Sequence, residues 1–303
     1  MSYLDRTLPY MNMYGTVDIS SSDSMDEALA MSGLDWPVIS KPLYDENGNQ
    51  YPNYRANVRD VDNTLLGVVS DKYRIVQNDL AFDFVNDLTT EGFQFDKAGS
   101  FRNGKSVWVM GHLPKEDILG DDIDNNLVFV NSHDGSSGVK VMMTPIRVVC
   151  SNMLNLALKK ASRSWATRHT SNIYSKLEEA KLTLGLASKY IEELREEADR
   201  LSNMSITEDQ IEQIFDKLFP VYPNNDTERK IKNVSILKDS FIHCYNEADI
   251  KKYKGTVYGA INAMSDLVSH KLPTRMTENY YENNWNRLIN GHYMLDNFYK
   301  LVK

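Results

Sequence analysis

Between Ile173 and Leu201 the apolar residues Ile173, Leu177, Ala180, Leu184, Ala187, Ile191, Leu194, Ala198 and Leu201 recur at gaps of 4, 3, 4, 3, 4, 3, 4 and 3. That register keeps one narrow apolar seam on a single side of an α-helix, the geometry that packs against a second helix in a coiled coil or a long hairpin. A helix over about 171–202 is therefore predicted, and its seam has to be covered. The cover is either another helix of the same chain or the same helix of a second copy, which would make a homo-oligomer. Later segments offer matching faces, which favours the intrachain partner. Gly185 costs about 1 kcal/mol relative to Ala in such a helix and suits a close backbone approach.

Upstream of Ser151 the pattern is different. Short runs rich in β-branched and aromatic residues, at Val38–Tyr44, Arg55–Asp60, Leu65–Val69 and Tyr73–Val76, are separated by turn-forming Asp45-Glu46-Asn47-Gly48-Asn49 and Asp62-Asn63. Asn78 is placed to cap a helix over Asp79–Leu88 with Leu80, Phe84 and Leu88 on its buried face. Strands resume at Phe93–Phe101, Ser106–Leu113, Leu127–Val130 and Val139–Val149. Asn103-Gly104 supplies a hairpin turn between the first two. No helices alternate with these strands, so the sheet is antiparallel rather than doubly wound. Downstream, Thr207 with Gln210 forms a capping-box pattern, and helical periodicity runs over about 227–247, 256–270 and 278–301. The expected class is α+β, with an antiparallel β-rich domain over 1–150 and a helical region over 151–303.

Charge is distributed unevenly. The 303 residues carry a net charge of −8. Residues 1–134 hold 10 basic and 22 acidic side chains, whereas residues 135–177 hold 7 basic and no acidic ones. Those seven are Lys140, Arg147, Lys159, Lys160, Arg163, Arg168 and Lys176, interleaved with Trp165 and Tyr174. An acid-free basic interval with aromatic residues suits a phosphate backbone and stacked bases; the plain alternative is that these cations answer carboxylates of the acidic segment. A smaller cluster, Lys251, Lys252 and Lys254, precedes the helix capped by Thr256, where helix-terminal N–H groups favour an anion.

Catalytic signatures are weak. Ser132-His133-Asp134 are consecutive, so they point to alternate sides of a strand and read as a turn rather than a proton relay. The six histidines show no zinc spacing, and the glycines form no dinucleotide or phosphate-loop fingerprint, so no metal or cofactor is expected. Asp117, Asp121, Asp122 and Asp124 read as a solvated loop able to hold Mg²⁺ weakly. Cys150 and Cys244 read as small buried hydrophobes. No apolar run is long enough to cross a membrane, and the N-terminus lacks a basic-then-apolar leader, so a cytoplasmic location is expected.

Five segments read together resemble a known family. They are Gly33-Leu34-Asp35-Trp36-Pro37-Val38 with Lys41-Pro42-Leu43-Tyr44; Leu66-Gly67-Val68-Val69-Ser70-Asp71-Lys72-Tyr73-Arg74-Ile75-Val76-Gln77-Asn78; Ser132-His133-Asp134-Gly135-Ser136; Thr144-Pro145-Ile146-Arg147-Val148-Val149-Cys150-Ser151-Asn152; and Gly255-Thr256-Val257-Tyr258-Gly259-Ala260-Ile261-Asn262-Ala263. Their order and spacing, from about Gly33 to His270, resemble the phage/plasmid-like protein family, domain of unknown function 932. Near the start, Met11-Asn12-Met13-Tyr14-Gly15 stands where the family would have a segment with Trp, His and Gly.

The resemblance implies carriage by phages, prophages and plasmids and supplies no reaction and no catalytic residues. Two functions follow as expectations. The first is a non-enzymatic protein of DNA metabolism, annealing-like, that binds single-stranded DNA through the 140–176 interval and the 251–254 cluster. The second is an acidic inhibitor that docks on a basic host defence protein such as a nuclease, anchored by aromatics such as Trp36 or Trp108. A metal-assisted nuclease would need carboxylates that converge in space.

Overall fold

The computed structural model describes residues 16–83, 85–86, 92–147, 152–153, 164–180, 183–247, 249–271, 280, 282–283, 287 and 292–302. The fold is α+β: antiparallel sheets fill the first part and helices the second. Strands β2 (Val38–Tyr44), β3 (Gln50–Arg59) and β4 (Thr64–Ser70) form a three-stranded meander. The larger sheet runs β1 (Val17–Asp18), β5 (Gln94–Phe101), β6 (Ser106–Ile118), β7 (Asp121–Ser132), β8 (Val139–Arg147) and β10 (Ser164–Thr167), with β9 (Asn152–Met153) also paired to β8.

The hairpin turns explain the register. Arg102, Asn103 and Gly104 all take positive φ between β5 and β6, as the Asn-Gly pair predicts. Leu119 and Gly120 do the same between β6 and β7. That second hairpin overturns the solvated-loop reading of the aspartates: Asp117 lies in β6, Asp121, Asp122 and Asp124 lie in β7, and Asp121 is buried at 4% exposure. Asp121 is tolerated there because Lys252 Nζ, at 2.6 Å, and the Tyr253 hydroxyl, at 2.8 Å, both donate to it.

The central strands are covered on both faces. Val109, Phe129 and Val141 lie side by side in register and enter the main apolar cluster, whereas Trp108, Val130 and Met142 are buried on the opposite face. The Tyr73–Val76 run, read as a strand, joins no ladder because its polar groups bond to Ser132 and to the backbone of His169 instead.

Of the predicted 79–88 helix, the structure shows α2 over Asn78–Phe82. Asn78 is its first residue rather than its cap, and Ala81, Phe82 and Val85 are buried while Leu80 is exposed. The face is rotated because the Asn78 side chain is drawn into the interior. Phe84 and Leu88 lie outside the described residues.

The helical part comprises α3 (Ile173–Ala180), α4 (Thr183–Ser202), α5 (Glu208–Leu218), α6 (Glu228–Tyr245), α7 (Val257–Asp266) and α8 (Tyr293–Val302), while α1 is Met25–Ser32. The capping box at Thr207 and Gln210 is formed. Seam residues Ile173, Leu177, Ile191, Leu194, Ala198 and Leu201 are all buried in the same apolar cluster as the sheet, and α4 packs on α7, β8 and β10. These six seam positions are thus covered within the chain, while the side chains of Ala180, Leu184 and Ala187 lie outside the description. One apolar cluster extends from Ile19 to Val302, and the sheet continues past the expected boundary at 150: β9 and β10 lie beyond it, and the helices of the second part begin at Ile173.

The two sheets meet where Gly67 of β4 lies against the backbone of Asp134. A Cβ on Gly67 would stand 2.5 Å from the Asp134 Cα. Gly67→Ala is therefore expected to destabilise the protein by about 1–3 kcal/mol, the usual cost of overpacking. Urea denaturation checks this, and an unchanged midpoint would show that the two sheets part freely.

Candidate functional site

Segments far apart in sequence converge beside that contact. Asn78 Nδ2 donates to the Leu34 carbonyl at 2.8 Å, which fixes Asn78 Oδ1 as an acceptor. His133 Nε2 lies 2.9 Å from that oxygen and must donate to it; Asn131 Nδ2 donates to it at 3.2 Å and to the Val76 carbonyl at 2.9 Å. Asn57 Nδ2 donates to the His133 carbonyl at 2.7 Å. His169 Nδ1 donates to the Arg74 carbonyl at 3.0 Å, and its ring stacks on Tyr73, whose hydroxyl donates to the Ser132 carbonyl. Trp36 meets His133 edge-on at 5.4 Å.

These bonds settle both imidazole tautomers. His133 keeps its lone pair on Nδ1 and His169 on Nε2, and Asn57 and Asn131 each keep Oδ1. All four atoms are buried acceptors, so they suit water or another donor. Burial, reinforced by His169, holds the His133 imidazole down at about 3, although Asp134 opposes this. Burial also lowers His169 against the bond to the Arg74 carbonyl. The Tyr73 phenol is pushed up by burial and by Asp134. Both imidazoles are therefore neutral at physiological pH.

The Ser132-His133-Asp134 triplet does no relay chemistry. Ser132 Oγ donates to the Ser137 carbonyl and accepts from the Ser137 N–H, His133 faces Asn78, and Asp134 pairs with Arg102 at 2.7 Å and accepts from the Ser136 N–H. It is the turn that its spacing implied. Among the described residues no three His, Cys, Asp or Glu side chains gather to hold a metal. Beside the network, Asp26, Asp35 and Asp79 line a cleft of about 500 Å³ together with Trp36, Gln77 and Asn78.

The predicted basic residues separate into three groups. Lys140 and Arg168 have no carboxylate within 4.0 Å among the described residues; Arg168 is exposed and Lys140 half-buried. Ala166, directly opposite Lys140, is two residues from Arg168. Lys176 is half-buried on α3 and has an interaction partner. Arg147 ends β8, its side chain outside the description, as is that of Tyr174. Lys159, Lys160 and Arg163 lie outside the described residues.

Three expectations require correction. Trp165, expected on the surface, is half-buried: it pairs with Val141 in the core-facing row and packs on the apolar cluster. The Lys251, Lys252 and Lys254 cluster makes no anion cradle. Lys252 is bound to buried Asp121, Lys254 lies 3.6 Å from Glu208 and donates to Asn246, and the α7 terminus is filled by the Thr256 hydroxyl and the Met204 carbonyl. Lys251 remains exposed beside them. Trp36 and Trp108, the suggested anchors for a host protein, are buried at 8% and 2% exposure.

Charge counting within 135–177 missed two further cations. The Arg74 N–H donates to the His169 carbonyl at 3.1 Å, which sets Arg74 beside Arg168, with Lys72 two residues earlier. Gly138 touches the Arg168 backbone, so the β7–β8 loop closes the group. Lys72 and Arg74 also have no carboxylate within 4.0 Å among the described residues.

Because His133 is neutral when folded and protonates near 6.5 when unfolded, its share of stability is complete above that pH and is lost as pH falls from 6.5 toward 3. His133→Gln, which keeps a donor for Asn78, is expected to flatten the decline between pH 6 and 4 by about 1.4 kcal/mol per pH unit. Denaturant titrations at several pH values check this; parallel slopes for the two proteins would show that His133 is not held neutral.

No curated protein and no solved structure shows significant similarity to the chain. The profile of the domain of unknown function 932 matches residues 65–289, about three quarters of the chain, and spans the network from Gly67 to His169. The chain therefore belongs to the domain of unknown function 932 family.

Proposed function

We propose that the protein binds single-stranded nucleic acid, without catalysis, on the loop end of the larger sheet, as a component of mobile-element DNA metabolism. The observation that carries this reading is that the backbone brings the three segments bearing Lys72 and Arg74, Lys140, and Arg168 next to one another, and none of these four cations has a carboxylate within 4.0 Å among the described residues. Cations without partners are available to replace the counterions of a phosphate backbone, whereas paired ones would first have to break an ion pair. Arg102, at the same end, is already held by Asp134 and Glu282 and is not assigned to the ligand.

The uncharged interior network fits a positioning role. It fixes the 72–78, 132–138 and 168–170 segments against one another through backbone carbonyls. It presents no activated nucleophile and no charged acid–base pair, which is why the reading is binding rather than turnover.

The quadruple variant Lys72→Ala, Arg74→Ala, Lys140→Ala, Arg168→Ala is expected to weaken single-stranded DNA binding and to lower the slope of log K against log salt by about 0.7 for each phosphate contact removed. Fluorescence anisotropy across a salt series measures both. Unchanged affinity and slope would overturn the reading, as would retention of a stoichiometric host protein with no nucleic acid from nuclease-treated and untreated lysates.

A further inference from the structure

We infer that the cleft beside Asn78 docks an arginine side chain presented by a partner protein, on a surface separate from the cations that carry the nucleic-acid reading. At about 500 Å³ the cleft falls within the range of ordinary ligand sites. Asp26, Asp35 and Asp79 line it, all three are exposed, and none has a cation within 4.0 Å among the described residues. Asp26 and Asp79 stand in the first turns of α1 and α2, where the helix dipole favours acids. Asp35 has no such reason, since it lies two residues past the α1 cap at Gly33. Three carboxylates thus share one concave surface and none of them is neutralised by a neighbour.

A second observation is independent of that charge. Trp36 lines the same cleft at 8% exposure, a wall rather than a protruding anchor, and its indole N–H has no hydrogen-bond partner among the described residues. A buried indole N–H ordinarily finds an acceptor. Arg59 lies over the ring, 5.3 Å from its centre, and His133 meets its edge, but neither accepts from it. The wall is also fixed before any ligand arrives. The Leu34 carbonyl accepts from Asn78 Nδ2 at 2.8 Å and the Pro37 carbonyl from the Asp60 N–H at 2.9 Å. The Gln77 carboxamide accepts from the Val38 N–H and donates to the Val38 carbonyl, each at 2.8 Å. Asp35, Trp36 and Pro37 are therefore held from both sides, which lowers the cost of ordering them around a ligand.

The occupant has to bring positive charge and an acceptor together. A metal ion or a polyamine carries charge without an acceptor, and a nucleic-acid backbone carries acceptors with the wrong charge. An arginine within a peptide supplies both: its guanidinium has five N–H donors in a fork that serves several carboxylates at once, and its flanking carbonyls accept. Its carbon stem suits the apolar lining at Leu29 and Pro37. Lysine concentrates three donors and a strong hydration shell at one point, a poorer match to acids supplied by three separate segments. Free arginine would bring its own carboxylate among the three already there, so the fit is to an arginine whose ends are peptide bonds.

The test titrates the ¹⁵N-labelled full chain with a capped glycyl-arginyl-glycine peptide and follows the indole N–H signals of the 4 tryptophans by NMR. Trp36→Phe removes one of those signals and so assigns it. The arginine peptide is expected to shift the Trp36 signal saturably, whereas the same peptide with citrulline, the uncharged isostere, leaves it in place at equal ionic strength. The triple variant Asp26→Asn, Asp35→Asn, Asp79→Asn is expected to bind about tenfold or more weakly, with its other signals showing the native fold. Equal shifts from the two peptides, a Trp36 signal that never moves, or a triple variant that binds like wild type would each overturn the docking site. Equal binding of the lysine peptide would overturn the choice of arginine, and equal binding of free arginine would make the cleft a small-molecule site and overturn the partner.

Discussion

The geometry of the loop end depends on the hydrogen bonds of one buried carboxamide. Asn78 donates to Leu34 and accepts from His133 and Asn131, so one side chain ties the segment after α1, the start of α2 and the end of β7. Each such neutral bond contributes only about 0.5–1.5 kcal/mol net, but a buried donor deprived of its acceptor costs about 1–3 kcal/mol. Loss of the Asn78 oxygen would orphan two donors at once. The network is accordingly cooperative: Asn57 reaches the His133 carbonyl, and Tyr73 reaches the neighbouring Ser132 carbonyl, only while β7 ends where Asn78 holds it.

That arrangement also explains why the interior is uncharged. His133 is wholly buried among Asn57, Asn78, Asn131 and Trp36, surroundings that offer carboxamide oxygens and an aromatic edge but no carboxylate in contact. Asp134 is the adjacent acid, and Arg102 occupies it. A protonated His133 would sit in low dielectric without a counterion, so the neutral form prevails. The field felt at the loop end comes from the surface cations and from Asp71 and Asp134, not from the core.

Much of this was legible in residue order. The Asn103-Gly104 turn and the capping box at Thr207 follow from local chemistry, which tertiary packing had no reason to override, whereas the change to helix expected from about 151 comes only at Ile173, after β9 and β10. The 173–201 seam was legible as a buried stripe, yet its partner was not, because a stripe specifies what must be covered and not by what. Local reading failed where polar residues serve distant ones. Asn78 reads as a cap, but its carboxamide is claimed by Leu34 and His133; Asp121 reads as a loop acid, but Lys252 and Tyr253 lie more than a hundred residues away. Trp165 reads as a surface aromatic because its neighbours are basic, and only the register with Val141 turns it inward. The resemblance of Lys72-Tyr73-Arg74 and Ser132-His133-Asp134 to one family was the available signal that these segments belong together.

A chain of net charge −8 can still attract phosphate if its acids and cations are kept apart. At physiological ionic strength a charge is screened beyond about 8 Å, so a strand responds to the local group and not to the molecular total. Asp26, Asp35 and Asp79 line the cleft on the α1 and α2 side of Asn78, whereas Lys72, Arg74, Lys140 and Arg168 gather on the segments that adjoin His169 and the β7–β8 loop. The uncharged network stands between the two sets. Under the proposed binding function, that separation would keep the acids of the cleft apart from the cations that meet a phosphate backbone. On this view the excess of acid in the first 134 residues does not oppose binding: it narrows where binding can occur.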